Sequence, residues 1–360
     1  MVISIYPTIS YDIAVAITAA SIILTWFILT LRNRNNKSKG HDEKLFKQPP
    51  PRGACANCGK EGDDVNNICN KCKQVKYCNA TCKKKHRSKH KKHCEEHVRL
   101  AAELNDKELF KQPPPKEDCP ICFLRIPSNI PGTNQAQQLL HTGSKYQSCC
   151  GKVICSGCIH APLYDNQGNK VDNQKCPFCR TPTPTSIEEG IERLKKRIEA
   201  EDSIAMYCLG LYHFRGEGGL AQNYTKALKL YHRAGKLGNA VAYNNIGFAY
   251  YNGEGVEVDK KKAVHYWELA AMRGDAQARH NLGCIERDAG NIDRAQKHYM
   301  IAIRDGYAYS LNEIKVMYSH GCTAKEDYTE ALQLYQTYLG EIKSDQRDKA
   351  AAANEDNRFY

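Results

Sequence analysis

The sequence predicts a multidomain chain: an N-terminal transmembrane helix, two small metal-stapled α+β modules and a C-terminal all-α helical-repeat solenoid. Three observations carry that expectation. An uncharged run of 19 residues fills positions 13–31. Fifteen of the 18 cysteines fall between Cys55 and Cys179, mostly as Cys-x-x-Cys pairs. Beyond residue 186, Leu-Gly, Ala and Gly positions recur at intervals of roughly 36 residues, the mark of stacked helix pairs.

The run 13–31 is rich in Ile, Ala, Leu and Phe, with Trp26 near its end. At about 1.5 Å per residue it is just long enough to cross the hydrocarbon core of a bilayer. A cleavable signal peptide carries basic residues before its apolar run and small ones after it. Here no Lys or Arg precedes Ile13, while Arg32, Arg34, Lys37 and Lys39 follow Leu31. The expectation is an uncleaved, single-pass membrane anchor with everything after Arg32 facing the cytosol. That orientation leaves the thiols on the reducing side, where paired cysteines beside a ligand-spaced histidine read as metal sites rather than disulfides.

A basic, proline-rich linker is expected at 32–54, and a second linker at 95–118. The two share a sequence: residues 43–55 read EKLFKQPPPRGAC and residues 107–119 read KELFKQPPPKEDC. Three consecutive prolines favour a stiff, extended left-handed segment. The repeat is either a duplicated spacer, the favoured reading, or a proline-rich ligand for a groove.

The first cysteine module, 55–94, runs Cys55-x2-Cys58-x10-Cys69-x2-Cys72-x5-Cys78-x3-Cys82-x7-His90-x3-Cys94. Zinc takes four tetrahedral sulfur or nitrogen ligands, and a Cys-x-x-Cys turn presents two thiolates to one ion. Pairs spaced four apart share one face of a helical turn. Eight ligands make two closed structural sites, with no position for water and hence no metal-centred catalysis. The spacing, with Tyr77 just before Cys78, closely resembles the MYND finger family. The resemblance implies interleaved sites: Cys55, Cys58, Cys78 and Cys82 on one zinc, and Cys69, Cys72, His90 and Cys94 on the other. It also implies a protein-interaction role, since such fingers bind short proline-containing peptides. His86, His93 and His97 are spare and expected to be solvated. The run KKKHRSKHKK, Lys83–Lys92, holds much of the excess behind the formal charge of +12. With no aromatic residue interleaved to stack on bases, it reads as a solvated helix face rather than a nucleic-acid footprint.

The second module, 119–180, has Cys119 and Cys122, then CCGKVICSGC (149–158), then Cys176-Pro-Phe-Cys179-Arg180. It resembles a RING finger. The resemblance implies Cys119, Cys122, Cys155 and Cys158 on one zinc, and Cys176 and Cys179 with two central ligands on another, so four ions in the chain. Where many RING fingers carry Cys-x-His, this chain has Cys150-Gly151-Lys152, and a protonated lysine is no ligand. Cys149 and Cys150 are the expected pair; His141 and His160 are lesser candidates. RING fingers position a ubiquitin-loaded conjugating enzyme without covalent catalysis. The family's conjugating-enzyme contacts fall on Ile121 and Pro177, and its cation bridging enzyme and ubiquitin on Arg180, where a planar guanidinium reaches two carbonyls at once.

The solenoid is expected over 186–342. Ser186-x-x-Glu189 is a capping box opening its first helix. Leu209-Gly210, Ile246-Gly247 and Leu282-Gly283 recur 37 and 36 residues apart, and Ala227, Ala263, Ala295 and Ala331 at 36, 32 and 36. With the turn Gly253–Val256 followed by Asp259, these resemble the Sel-one-like repeat family, relatives of tetratricopeptide repeats that scaffold protein complexes. Two units match well; the third lacks the turn insertion and the fourth is degenerate. Cys208, Cys284 and Cys322 read as small hydrophobes, and residues 343–360 as a disordered polar tail. The function expected is a membrane-anchored RING-type ubiquitin ligase whose MYND finger and repeats recruit protein partners, with ubiquitin and its conjugating enzyme as the others. The alternative is a non-catalytic zinc-finger and repeat adaptor.

Overall fold

The computed structural model describes residues 54–58, 60–61, 67–114, 117–127, 143–163, 167, 171 and 174–353. The expected membrane helix at 13–31, the first LFKQPPP copy and His141 lie outside these residues. Among the described residues no helix is long and apolar enough to cross a membrane. The chain divides into two compact units, Met1–Ala102 and Glu103–Tyr360.

In the first unit, β1 (Asn67–Ile68) pairs antiparallel with β2 (Lys76–Tyr77), Asn67 opposite Tyr77. Helix α1 (Ala80–Leu109) follows. Asn79 starts it, its side-chain oxygen accepting from the Cys82 amide at 2.8 Å, which satisfies a backbone donor that the first turn leaves orphaned. The expected linker at 95–118 is therefore helical as far as Leu109. A helix that is polar nearly all round shows no apolar stripe to announce it.

In the second unit, β3 (Ser144–Gln147) and β4 (Lys152–Cys155) form an antiparallel hairpin with Gly151 at φ +73° in the turn. The short helix α2 (Ser156–His160) follows directly. Helix α3 (Ile187–Glu199) opens with Ser186 accepting from the Glu189 amide at 3.2 Å. The reciprocal half of the capping box falls one residue early, with the Glu189 carboxylate accepting from the Thr185 amide at 2.8 Å. Asp202 then joins three elements. It caps α4 (Ser203–Arg215) by accepting from the Ile204 and Ala205 amides, and it takes further donors from Tyr146 on β3 and Arg197 on α3, both at 2.8 Å. Burial opposes ionisation of this carboxyl, but the Tyr146 hydroxyl and the Arg197 guanidinium outweigh it and hold Asp202 below the usual carboxylate range.

The repeats follow as helix pairs: α4 with α5 (Tyr224–Lys236), α6 (Ala240–Asn252) with α7 (Lys260–Met272), α8 (Ala276–Asp288) with α9 (Ile292–Arg304), and α10 (Ala308–Ser319) with α11 (Lys325–Ile342). The Leu-Gly glycines let one helix of a pair approach the aromatic of the other. A Cβ on Gly210 would stand 2.7 Å from Tyr231, on Gly247 2.5 Å from Trp267, and on Gly283 2.5 Å from Tyr299. The three aromatics are buried. The inter-helix turns also repeat: Gly216 and Gly253 take the left-handed conformation that ends α4 and α6, and Asn223 and Asp259 cap α5 and α7.

The tail differs from expectation. Residues 345–353 form helix α12 (Asp345–Ala353), packed against α2. Its anchor is Arg347, fully buried, whose guanidinium donates to the Arg125 and Ile342 carbonyls at 2.8 and 2.7 Å and to the Leu124 carbonyl at 3.3 Å. A composition-based reading sees only a short polar segment; docking through one buried cation is a tertiary event. Gly157 on α2 makes the approach possible, since a Cβ there would lie 2.8 Å from the Arg347 amide nitrogen.

Gly247→Ala should destabilise the repeats by about 1–3 kcal/mol through overpacking. Gly340→Ala, on an open face of α11, should gain about 0.5–1 kcal/mol of helix preference; thermal melts of the helical signal compare them. Arg347→Met leaves three carbonyls without their donor and should cost about 1–3 kcal/mol, read as faster amide exchange at 119–125 and 156–160. Lys349→Met, on the exposed side of α12, should leave that exchange unchanged.

Candidate metal centres

Four groups of ligand atoms converge among the described residues: Cys55, Cys58, Cys78 and Cys82; Cys69, Cys72, His90 and Cys94; Cys119, Cys122, Cys155 and Cys158; and Cys149, Cys150, Cys176 and Cys179. In each group the four atoms lie within 4.8 Å of one another. A tetrahedral ion with Zn–S bonds of about 2.3 Å requires sulfur–sulfur edges of about 3.8 Å. The separations fit: 3.7 Å for Cys58–Cys78, 3.6 Å for Cys69–Cys94, 3.7 Å for Cys122–Cys155 and 3.9 Å for Cys150–Cys176. Cys72 Sγ and His90 Nε2 stand 3.3 Å apart. All these cysteines are free thiols.

Local backbone geometry explains how the pairs form. In three Cys-x-x-Cys turns the residue after the second cysteine sits in the left-handed region: Lys73 at φ +55°, Phe123 at +58° and Arg180 at +64°. Each donates its amide to the carbonyl of the first cysteine, at 3.0, 2.9 and 2.9 Å. The first cysteine's amide in turn donates across the knuckle to Val75, Leu124 or Thr181 at 2.8–2.9 Å. Holding a non-glycine residue there costs about 1–3 kcal/mol. The knuckle recovers that cost only if the two thiols it aims together gain a common partner.

The electrostatics point the same way. In the third group the Cys119 thiol is drawn down to about 4 by the hydrogen bond it accepts from Cys155, while that bond and burial push the Cys155 thiol up. Four thiols this close cannot all ionise unless a cation sits among them, and zinc supplies that charge. The donor sets thus fit zinc, and each group closes a tetrahedron without an open position.

Each module interleaves its ligands, because the antiparallel pairs β1–β2 and β3–β4 return the chain between knuckles. In the second module the structure places both Cys149 and Cys150 in the group with Cys176 and Cys179. His160 lies at the end of α2, outside the four groups. Ile121 is exposed on the first knuckle; on the last, Pro177 is half-buried and Arg180 exposed. The Arg180 side chain has no hydrogen bond or ion pair among the described residues. Two neighbours missed by sequence reasoning share these surfaces, Phe123 and Phe178, both large exposed apolar side chains. A signal existed: each directly adjoins a knuckle cysteine.

His86, expected to be solvated, instead meets the buried Tyr77 hydroxyl at 3.2 Å and stacks on His90, with ring centroids 5.9 Å apart. Its distance in sequence from His90 is one helical turn, so the α1 register puts it against the ligand. Lys83 also leaves the solvated set, donating to the Ile68 carbonyl and Asn70 side chain at 2.8 and 3.0 Å. The remaining cations, Lys84, Lys85, Arg87, Lys89, Lys91 and Lys92, are exposed. Arg347 reaches the third group as well, its guanidinium 4.0 Å from Cys122 Sγ, an outer-shell cation beside a thiolate cluster.

Chelation at neutral pH should unfold the cysteine modules while the repeats keep their helical signal. Limited proteolysis is the measurement: cleavage within 55–94 and 119–180 should precede cleavage within 203–342. Modules that resist protease after chelator treatment would contradict a metal-held fold.

Comparison with known proteins agrees with this organisation. The MYND finger family matches residues 55–94. The Sel1 repeat family matches residues 203–239, 240–275 and 306–337. The fourth unit, expected to be degenerate, is thus recognisable, whereas the α8–α9 pair is unmatched although it folds as its neighbours do. The chain is 30% identical over 114 residues to the ERAD-associated E3 ubiquitin-protein ligase component HRD3B of Arabidopsis thaliana, covering 31% of this chain and 17% of that protein. It is 32% identical over 98 residues to the E3 ubiquitin-protein ligase DA2 of the same plant, covering 25% of this chain and 20% of that protein. The chain thus matches a fifth or less of these relatives' length. A solved Sel1 repeat protein from Oxalobacter formigenes is 27% identical, with a TM-score of 0.38, over 48% of this chain and 68% of that one. Residues 55–94 are a MYND finger, and the helical region carries Sel1 repeats.

Proposed function

We propose that this chain is a membrane-anchored ubiquitin ligase of the RING type, with four structural zinc ions and with its MYND finger and repeats recruiting protein partners. The observation that carries the reading is the interleaving of the second module. Cys119 and Cys122 share one group with Cys155 and Cys158, while Cys176 and Cys179 share the other with Cys149 and Cys150. This is the cross-brace a RING finger needs, reached with cysteine where many such fingers use histidine.

The zinc ions would supply rigidity only. Catalysis would be positional: exposed Ile121, Phe123 and Phe178, with half-buried Pro177, offer apolar side chains to a conjugating enzyme, and Arg180 offers an exposed guanidinium. Holding a thioester in an attack-ready geometry turns an encounter into an intramolecular step. The relatives' names, an E3 ligase and an E3 ligase component, support a place in ubiquitin transfer. The uncharged run 13–31 with its basic C-terminal flank supports a single-pass anchor that leaves the modules in the cytosol.

A second reading keeps the zinc and the partners but not the transfer: an adaptor within a ligase complex. Cys150-Gly151-Lys152 favours it, as does a relative described as a ligase component.

The test combines the full-length chain with activating enzyme, a panel of conjugating enzymes and ubiquitin. Ubiquitin chains should form, and Arg180→Ala should slow them at least tenfold without changing metal content, which elemental analysis should put at about four zinc ions per chain. No transfer and no conjugating-enzyme binding across the panel would favour the adaptor. Transfer unaffected by Arg180→Ala would remove that residue from the mechanism.

A further inference from the structure

The second LFKQPPP copy is seated on the repeats, not suspended between modules. Leu109, the last residue of α1, is 1% exposed in the core of the repeats. Phe110 packs on the His298 ring at 4.7 Å, with the Arg294 and Lys297 cations over its face at 5.3 and 5.8 Å. The Gln112 side-chain oxygen accepts from Arg304 at 2.6 Å. Pro113 lies against Gly274, where an added Cβ would stand 3.5 Å away. Pro114 lines a cleft of about 340 Å³ together with Val241, Asp275, Gln277 and Tyr307. Lys111, Gln112 and Pro114 remain exposed; the Lys111 ion pair is with Glu108 at 3.8 Å.

Leu, Phe, Gln and two prolines are therefore the residues the groove touches, and residues 45–51 repeat them without a change. A spacer needs the prolines for stiffness; it has no use for a leucine, a phenylalanine and a glutamine in fixed order. In the seated copy those three make the side-chain contacts to the repeats.

We infer that the repeats carry a recognition groove for the sequence Leu-Phe-Lys-Gln-Pro-Pro, and that the segment Leu45–Pro50 of this chain is its second occupant, in exchange with Leu109–Pro114. Cation–π and aromatic contacts on Phe110 and the buried leucine supply the anchor, and the stiff prolines limit the ordering cost of binding. The seated copy is covalently tethered, with an effective concentration on the order of millimolar. A free segment therefore competes only weakly for the groove until the seated copy's anchor is weakened. The recognition does not depend on ubiquitin transfer.

A synthetic peptide of residues 43–53 is the probe, titrated into the full-length chain. Against the wild type it should bind at least tenfold more weakly than against the Phe46→Ala, Phe110→Ala double variant, in which both resident copies lack their aromatic. The same peptide carrying Phe46→Ala should lose at least tenfold against the double variant. No saturable binding to the folded double variant at millimolar peptide, or equal affinity for the two peptides, would overturn the proposal. Should the double variant lose its helical signal, the wild type is photolabelled with a peptide bearing benzophenone in place of Phe46. Adducts on α9 or residues 273–277 support the groove; adducts confined elsewhere, or none, overturn it.

Discussion

Convergence of four soft ligand atoms on one point is the constraint from which the cysteine modules follow. The buried cluster of the second module consists of Cys119, Ile154, Cys155, Cys158 and Cys176, so nearly all of its interior is ligand. Structural zinc binding is worth about 10–16 kcal/mol in small finger peptides. That exceeds the summed cost of a few left-handed knuckle residues at about 1–3 kcal/mol each. Metal grip and backbone strain thus belong to one device: the strained turn aims the thiols, and the bound cation makes the strain affordable.

Within the second unit, the cysteine module is fastened to the helices by charged side chains, among them Arg125, which pairs with Asp305 and Glu341. Asp202 gathers Tyr146, Arg197 and the first amides of α4. Arg347 gathers the carbonyls of Leu124, Arg125 and Ile342 beside Cys122. A buried charge is costly unless its hydrogen-bonding capacity is met, so each pins its partners in one arrangement. These clamps hold the cysteine module rigid against the helices.

The repeats follow a different rule, shape rather than charge. Glycine on one helix admits Tyr or Trp from the next, and the pair stacks on its neighbours. The same small-residue logic operates at Gly274, where the backbone leaves room for a proline of the LFKQPPP segment.

Much of this was legible from residues alone, and for a local reason. Metal ligands declare themselves by type and spacing, and repeats by period, so the MYND finger, the sulfur-rich second module and the solenoid could be read without coordinates. The turn cap at Asp259 and the Leu-Gly positions belong to the same class, since each depends on neighbours close in sequence. What the tertiary structure alone decided involves residues distant in the chain. The polar tail becomes a helix because Arg347 finds carbonyls more than 200 residues away, and the segment around Phe110 packs on the repeats because His298 and Arg294 face its ring. Neither of these has a periodic or compositional signature: a single buried contact between remote segments leaves no trace in either partner's local sequence.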